Sequence, residues 1–313
     1  MDKKELKIAY LGTPKISAIV LEKLIKNGYN VQLVVSQEDK PQGRKMIITP
    51  TETKLIAEKY NIPVFQPHKI RDDYAFLTKF NIDILLTMAY GQIIPQAVLD
   101  IPKIKALNLH GSLLPKYRGA SPIQAAILNG DKITGITLME MVDKMDAGRM
   151  YYKKEIEIAD NDNYETLSLK LADLAYETFD EGIQDVADGI NKGVEQDESL
   201  VSFTKKIKLE DSKLIFNAGS SSIINKIRAF YPDPGTFFSH SDVKYKVKKA
   251  TLVENKSNTT PGKIVKYDKN AFYIETGDGV ISILELQKPG KKMMDYKSFF
   301  NGNQNLFKIG DII

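Results

Sequence analysis

The chain contains no cysteine, which excludes disulfides, thiolate metal sites and a cysteine nucleophile. Histidine is scarce too: His68, His110 and His240 are the only three. They lie far apart and are not spaced like metal ligands, so no metal is expected. No apolar run approaches the length of a bilayer span. The opening MDKKELKIAYLG lacks the apolar core and cleavage site of a secretory signal. A cytoplasmic protein without a membrane partner is expected. The dinucleotide fingerprint is missing as well, because Gly12 has no glycine two or five residues further on.

What is present is ordinary for a folded protein. The 313 residues are 42% hydrophobic and 27% charged, enough for a large core and more consistent with two domains than one. Charge is unevenly placed. Residues 209–313 carry 16 Lys and Arg against 11 Asp and Glu, leaving 28 against 29 in the first 208. A basic C-terminal third on a near-neutral body suggests a polyanionic partner. Lysine used only for solubility explains the charge almost as well.

Periodicity predicts repeated β-α units, hence a mostly parallel sheet with helices on both faces. Strands are expected at residues 6–11, 31–35, 64–65, 82–90, 105–110, 134–141 and 149–158. Helices are expected after Thr13-Pro14, with Thr13 as cap, and at 51–60, 71–80, 121–130 and 164–190. Residues 36–50 form a connection too long for routine use, and such loops often serve function. After a helix at 220–230, five short runs at hairpin spacing predict a small β-barrel, OB-like. The expected division is residues 1–203, a linker at 204–208, and residues 209–313.

The stretch ALNLHGSLLPKYRG, residues 106–119, stands at the centre of this pattern. Residues two apart on a strand share a face, so Asn108 and His110 should project together where the strand ends at Gly111. Ligands bind at such strand ends in α/β sheets. Spacing alone fits an ordinary polar strand end with a solvated histidine better.

The run Asn108-Leu109-His110, then residues 112–119 and Asp146-Ala147-Gly148, resembles the signature of the folate-dependent formyltransferases. LGTP at 11–14, DESLVSFTKKI at 197–207 and TGDG at 276–279, with the basic C-terminal region, resemble the two-domain members that act on charged initiator tRNA. The resemblance implies a Rossmann-like catalytic domain and a tRNA-binding barrel. It also implies transfer of formyl from 10-formyltetrahydrofolate to the α-amino group of methionyl-initiator tRNA; a monomer is expected. It makes Asn108, His110 and Asp146 catalytic. Asn108 and a protonated His110 would donate to the developing oxyanion, and Asp146 would steady His110 and help move the proton of the amine. By the same resemblance Ser112, Leu113, Leu114 and Pro115 line the folate site, with Met88, Tyr90 and Gly91 at the pterin pocket. Arg44 and Lys45 would reach the acceptor end of the tRNA, and Lys246 and Lys248 would contact its phosphates. Two alternatives stay open. A sugar-nucleotide formyltransferase would share the Asn-His-Asp set, and a non-catalytic RNA-binding protein would leave it unused.

Overall fold

The central parallel strands, IAYLG at 8–12 and ILLTM at 84–88, are short, nearly all-apolar runs, as burial on both faces requires. The structure, a computed structural model, describes residues 2–43, 45–256 and 258–313. It opens with β1 (Ile8–Gly12), α1 (Lys15–Lys26) and β2 (Val31–Val35), then the hairpin β3 (Lys40–Gln42) and β4 (Ile47–Thr49). Next come α2 (Glu52–Lys59), β5 (Val64–Phe65), β6 (Ile84–Met88), α3 (Gln96–Leu99) and β7 (Lys105–His110). After these follow β8 (Arg118–Gly119), α4 (Pro122–Leu128), β9 (Ile133–Glu140), β10 (Met150–Glu157), α5 (Tyr164–Ala187) and β11 (Phe203–Thr204).

Seven strands make one sheet in the order β10-β9-β7-β6-β1-β2-β5. The five from β7 to β5 are parallel. The chain leaves β1 toward β2 and later returns on its other side with β6. That reversal opens a crevice at the carboxyl ends of β1 and β6, the usual ligand position in such sheets. Thr13, just past β1, donates its hydroxyl to the Tyr90 carbonyl, just past β6, at 2.9 Å. One face of the sheet packs Ala9, Leu11, Leu33, Leu85 and Ala106 against Val98 and Leu99 of α3. On the other face the Tyr10 hydroxyl meets the Ser17 carbonyl of α1 at 2.8 Å.

The expected α/β class with a small β region is the observed one, with local departures. Thr13 does not cap α1, whose N-cap is Pro14, because its hydroxyl is spent on Tyr90. The helix expected at 71–80 reduces to a single 3-10 turn, Leu77–Lys79. The amides of Asp72 and Asp73 both bond to the Lys69 carbonyl, and Phe76 is held 5.0 Å from Phe65 and 5.4 Å from Phe80. Tertiary anchoring of aromatic side chains overrides the helical pattern there. The sheet is mostly parallel, as expected, and its antiparallel part is β9 against both β7 and β10.

The chain divides into two compact units, Met1–Pro122 with Ile133–Glu157 and Ser168–Lys205, and Ile123–Lys132 with Ile158–Leu167 and Lys206–Ile313. The second unit contains α6 (Ser220–Phe230), β12 (Thr236–His240), β13 (Val243–Asn255), β14 (Ile264–Tyr267), β15 (Phe272–Glu275), β16 (Gly279–Gln287), β17 (Met294–Asp295) and α7 (Tyr296–Asn301). Its six strands pair antiparallel throughout, in the order β12-β13-β16-β15-β14 with β17 on β16. Aromatic rings fill its core, among them Phe238, Tyr245, Phe272, Phe299 and Phe307. Arg228 of α6 donates to the carbonyls of Ala159 and Asp162 at 2.9 and 2.6 Å, which ties residues 158–167 to this unit. Among the described residues no helix is long and apolar enough to cross a membrane.

Candidate active site

The alternation of β7 places Asn108 and His110 on the face that carries buried Ala106. His110 is 5% exposed. Its Nε2 lies 2.9 Å from the Tyr117 carbonyl, which can only accept, so Nε2 bears a hydrogen there. Nδ1 is therefore the nitrogen facing Asp146, 3.7 Å from its Oδ1. Two of the three expected residues, His110 and Asp146, face each other through Nδ1, and Asn108 lies two residues before His110 on the same strand.

Asp146 sits in the turn after β9 with φ 48°, a left-handed conformation that Asp tolerates better than most residues. Its Oδ2 accepts the Gly119 amide at 2.7 Å. Gly119 has φ 113°, and a Cβ there would lie 2.4 Å from the Thr204 carbonyl, so the residue must be glycine. The other side of β8 is closed by β11, paired parallel to it. Ser202 accepts from the Tyr117 amide at 2.9 Å, and its carbonyl accepts from the Arg118 amide at 2.9 Å. Arg118 is fully buried. Its Nη2 meets Glu198 at 2.8 Å, and its Nε donates to Gln196 Oε1 at 3.0 Å. Arg118, with Lys144 behind it, holds the Glu198 carboxyl below its ordinary range. Gln196 Nε2 in turn donates to the carbonyls of Asp146 and Gly148 at 2.7 and 2.9 Å.

The residues expected around the folate divide into two kinds. Ser112 is fully buried and spends its hydroxyl on the Lys116 carbonyl at 2.6 Å. Leu114 packs with Met139 and Met150. These two build the turn, while Leu113 and Pro115 remain part-exposed. The turn is pinned by Thr137 of β9, which donates to the Ser112 carbonyl at 2.7 Å and accepts from the Leu114 amide at 3.1 Å. Met88 and Tyr90 are each 2% exposed. Burial raises the Tyr90 phenol well above its ordinary value. The surface at this strand end is thus main chain at Ala89 and Gly91, both exposed with positive φ. Thr87 is the register partner of Asn108, and among the described residues its buried Oγ1 has no hydrogen-bond partner. Beside Gly91 opens a pocket of about 450 Å³ lined by Lys40, His68, Lys69 and Arg71 with Gln37 and Gln92. Among the described residues no group of three His, Cys, Asp or Glu is gathered for a metal.

A family model described as formyl transferase matches residues 6–183, and one described as formyl transferase C-terminal domain matches residues 206–304. The chain belongs to the formyl transferase family. A methionyl-tRNA formyltransferase of Mesoplasma florum is 40% identical over 309 residues, covering 98% of this chain and 99% of that protein. Among solved structures, WlaRD, a sugar 3N-formyl transferase crystallised with dTDP and 5-N-formyl-THF, superposes with a TM-score of 0.65 at 22% identity. It covers 92% of this chain and 99% of its own. HypX of Aquifex aeolicus gives 0.66 at 17% identity, and this formyl transferase spans 96% of itself but 49% of HypX. At those identities the two structures show the fold alone.

Among the candidate tRNA residues of this formyl transferase, Lys45 belongs to the first unit and Lys246 and Lys248 to the second. Arg44 lies outside the described residues. Lys45 is exposed beside a hairpin whose Met46, Ile47 and Ile48 are 67%, 61% and 69% exposed. Lys246 is exposed on β13, whereas Lys248 is half-buried, paired with Glu285 at 2.7 Å and over the Tyr231 ring. Sequence reasoning missed Thr87, Arg118, Thr137 and Gln196. The run 197–207 begins one residue past Gln196 and carries no periodicity from which contacts could be read.

Proposed function

We propose that this formyl transferase moves a formyl group from 10-formyltetrahydrofolate to the α-amino group of methionyl-initiator tRNA, as a cytoplasmic monomer. The observation that carries the reading is the 40% identity to the M. florum enzyme across both regions of the chain. The likeness to WlaRD reaches the fold only, and no residue of the site favours an amino sugar over an aminoacylated tRNA.

The residues fit such a donor on two counts. The unpartnered Thr87 hydroxyl beside Asn108 is a polar atom that a bound group would satisfy. Ala89 and Gly91 expose main chain at this strand end, and Gly91 lets Gln37 Nε2 pack where a Cβ would meet it at 2.3 Å. Leu113, Pro115 and the main chain of residues 88–91 would hold the donor, with Ser112 and Leu114 shaping the turn beneath. The donor supplies an activated formyl carbon, and the methionyl amine supplies the nucleophile. Asn108 would give an amide N–H to the oxygen as charge builds on it, and His110 Nδ1, when protonated, would give a second. Donors of this kind, fixed in advance, usually lower the barrier to acyl transfer more than any other single effect. As the new bond from the amine to the formyl carbon forms, the bond from that carbon to N10 of the donor breaks. Asp146, anchored through Oδ2, would take up the proton the amine loses and return it to N10, directly or through water. Holding the two reactants together supplies the remainder.

Residues 1–203 are proposed to carry the chemistry and residues 209–313 to bind tRNA, with Lys246 on phosphates and Arg44 and Lys45 at the acceptor end. The test is formylation of charged initiator and elongator tRNAs side by side, with a dTDP-linked amino sugar as a third acceptor. Preference for the initiator is the expected result. Formylation of the sugar with none of either tRNA would overturn the reading.

A further inference from the structure

We infer that Gln196 is a positioning residue for Asp146, and that residues 196–204 are a strap whose task is to hold the Asp146–His110 pair in register. The inference rests on Asp146 acting in formyl transfer. Both ends of the Gln196 amide are spoken for by groups with one possible role. Arg118 only donates, so Oε1 faces it at 3.0 Å. The carbonyls of Asp146 and Gly148 only accept, so Nε2 faces them at 2.7 and 2.9 Å. The residue is 8% exposed, so little of it meets solvent.

Asp146 is thereby gripped twice, at its carbonyl by Gln196 and at its carboxylate by the Gly119 amide. Both grips trace to the same segment. Ser202 and Thr204 hold β8, which presents Gly119, and Gln196 opens the strap. Arg118 Nη1 is buried without a partner among the described residues. Such an atom is costly, yet the arrangement keeps Nε on Gln196 and Nη2 on Glu198. His110 feels the strap as well, because the Tyr117 carbonyl that fixes its Nε2 belongs to the residue whose amide is bonded to Ser202.

Gln196→Glu keeps the size of the side chain and gives Arg118 a charged partner. It also turns an oxygen toward two carbonyl oxygens, so Asp146 should lose its main-chain grip while the fold keeps its core. In steady-state formylation of charged initiator tRNA by the full chain, kcat should fall roughly 10- to 100-fold, the scale on which small misplacements cost rate. KM for the formyl donor should stay within about threefold, which marks loss of an interaction made in the transition state. The melting temperature should be unchanged. In an Asp146→Asn background, Gln196→Glu should cost no further kcat, because a residue that acts only through another cannot be lost twice.

A kcat within twofold of the unsubstituted enzyme, or a full additional loss in the Asp146→Asn background, overturns the inference. A loss carried wholly by KM overturns it too. If Gln196→Glu melts early, Gln196→Met, which removes the bonds without adding charge, decides by the same double-variant comparison. An Asp146→Asn enzyme of normal activity would instead sink the reading of the site itself, whatever Gln196 does.

Discussion

Asp146 carries two separable properties, an acceptor for the Gly119 amide and a negative charge 3.7 Å from His110. Asn in its place keeps the first and tolerates the left-handed backbone, so Asp146→Asn should melt as the parent does yet transfer formyl about 100-fold more slowly. A variant of equal rate would show that the charge is not used. Asn108→Ala should cost about 100- to 1,000-fold in kcat, the usual effect of losing one oxyanion donor, and near-normal single-turnover rates would remove it from the mechanism. Gly119→Ala tests the backbone instead. Its methyl must displace the Thr204 carbonyl, so melting temperature and activity should fall together, and a fully stable variant would contradict the packing described. The Asn-x-His pair was legible because a strand has period two. Gln196 was not, since its partners lie 50 and 78 residues away in sequence and no local pattern records them.

At the scale of elements, the long helix α5 was legible from its apolar repeat, while β8 and β11, two residues each, are too short to show any period. The hairpin β3–β4 inside the expected loop was hidden for the same reason. Another feature absent from any pattern is the tie between the N-terminus and α5. Asp180 accepts from the Tyr29 hydroxyl at 2.7 Å and pairs with Lys3 and Lys4 at 3.1 Å each. Burial alone pushes its carboxyl up, but these bonds outweigh it and hold it at about 2. A carboxyl lower in the folded state than its ordinary 3.8 binds fewer protons there than in the unfolded chain. Its contribution is therefore complete above about pH 4 and drains away as pH falls toward 2. Asp180→Asn should lower the melting temperature at neutral pH and flatten its decline across that acid window. Parallel melting curves for the two proteins would refute the assignment.

For the whole molecule, the division drawn from the sequence at residue 208 meets a complication. Residues 123–132 and 158–167 group with the C-terminal residues, and Arg228 bonds directly to the latter segment. Cutting the chain at 208 would strip these segments of their packing, so lysine substitutions in the intact protein are the better probe. Lys246→Gln should weaken tRNA binding and reduce the slope of log affinity against log salt by about one. Lys248→Gln should do less, because Glu285 already neutralises that charge. The reverse order, or an affinity indifferent to salt, would remove β13 from the tRNA surface. Folate affinity should barely respond to either.

The strap also sets an order of events during synthesis. Tyr117 waits 85 residues for Ser202, so a nascent chain can complete β7 and fold much of the sheet while His110 and Asp146 still lack their frame. At typical elongation rates of about 5–20 residues per second the delay is roughly 4–17 s. Throughout it, the emerging polypeptide has the wall of a binding site but no competent catalytic pair. Assembly of the chemistry is thereby postponed until the ribosome has passed the end of the first of the two family regions.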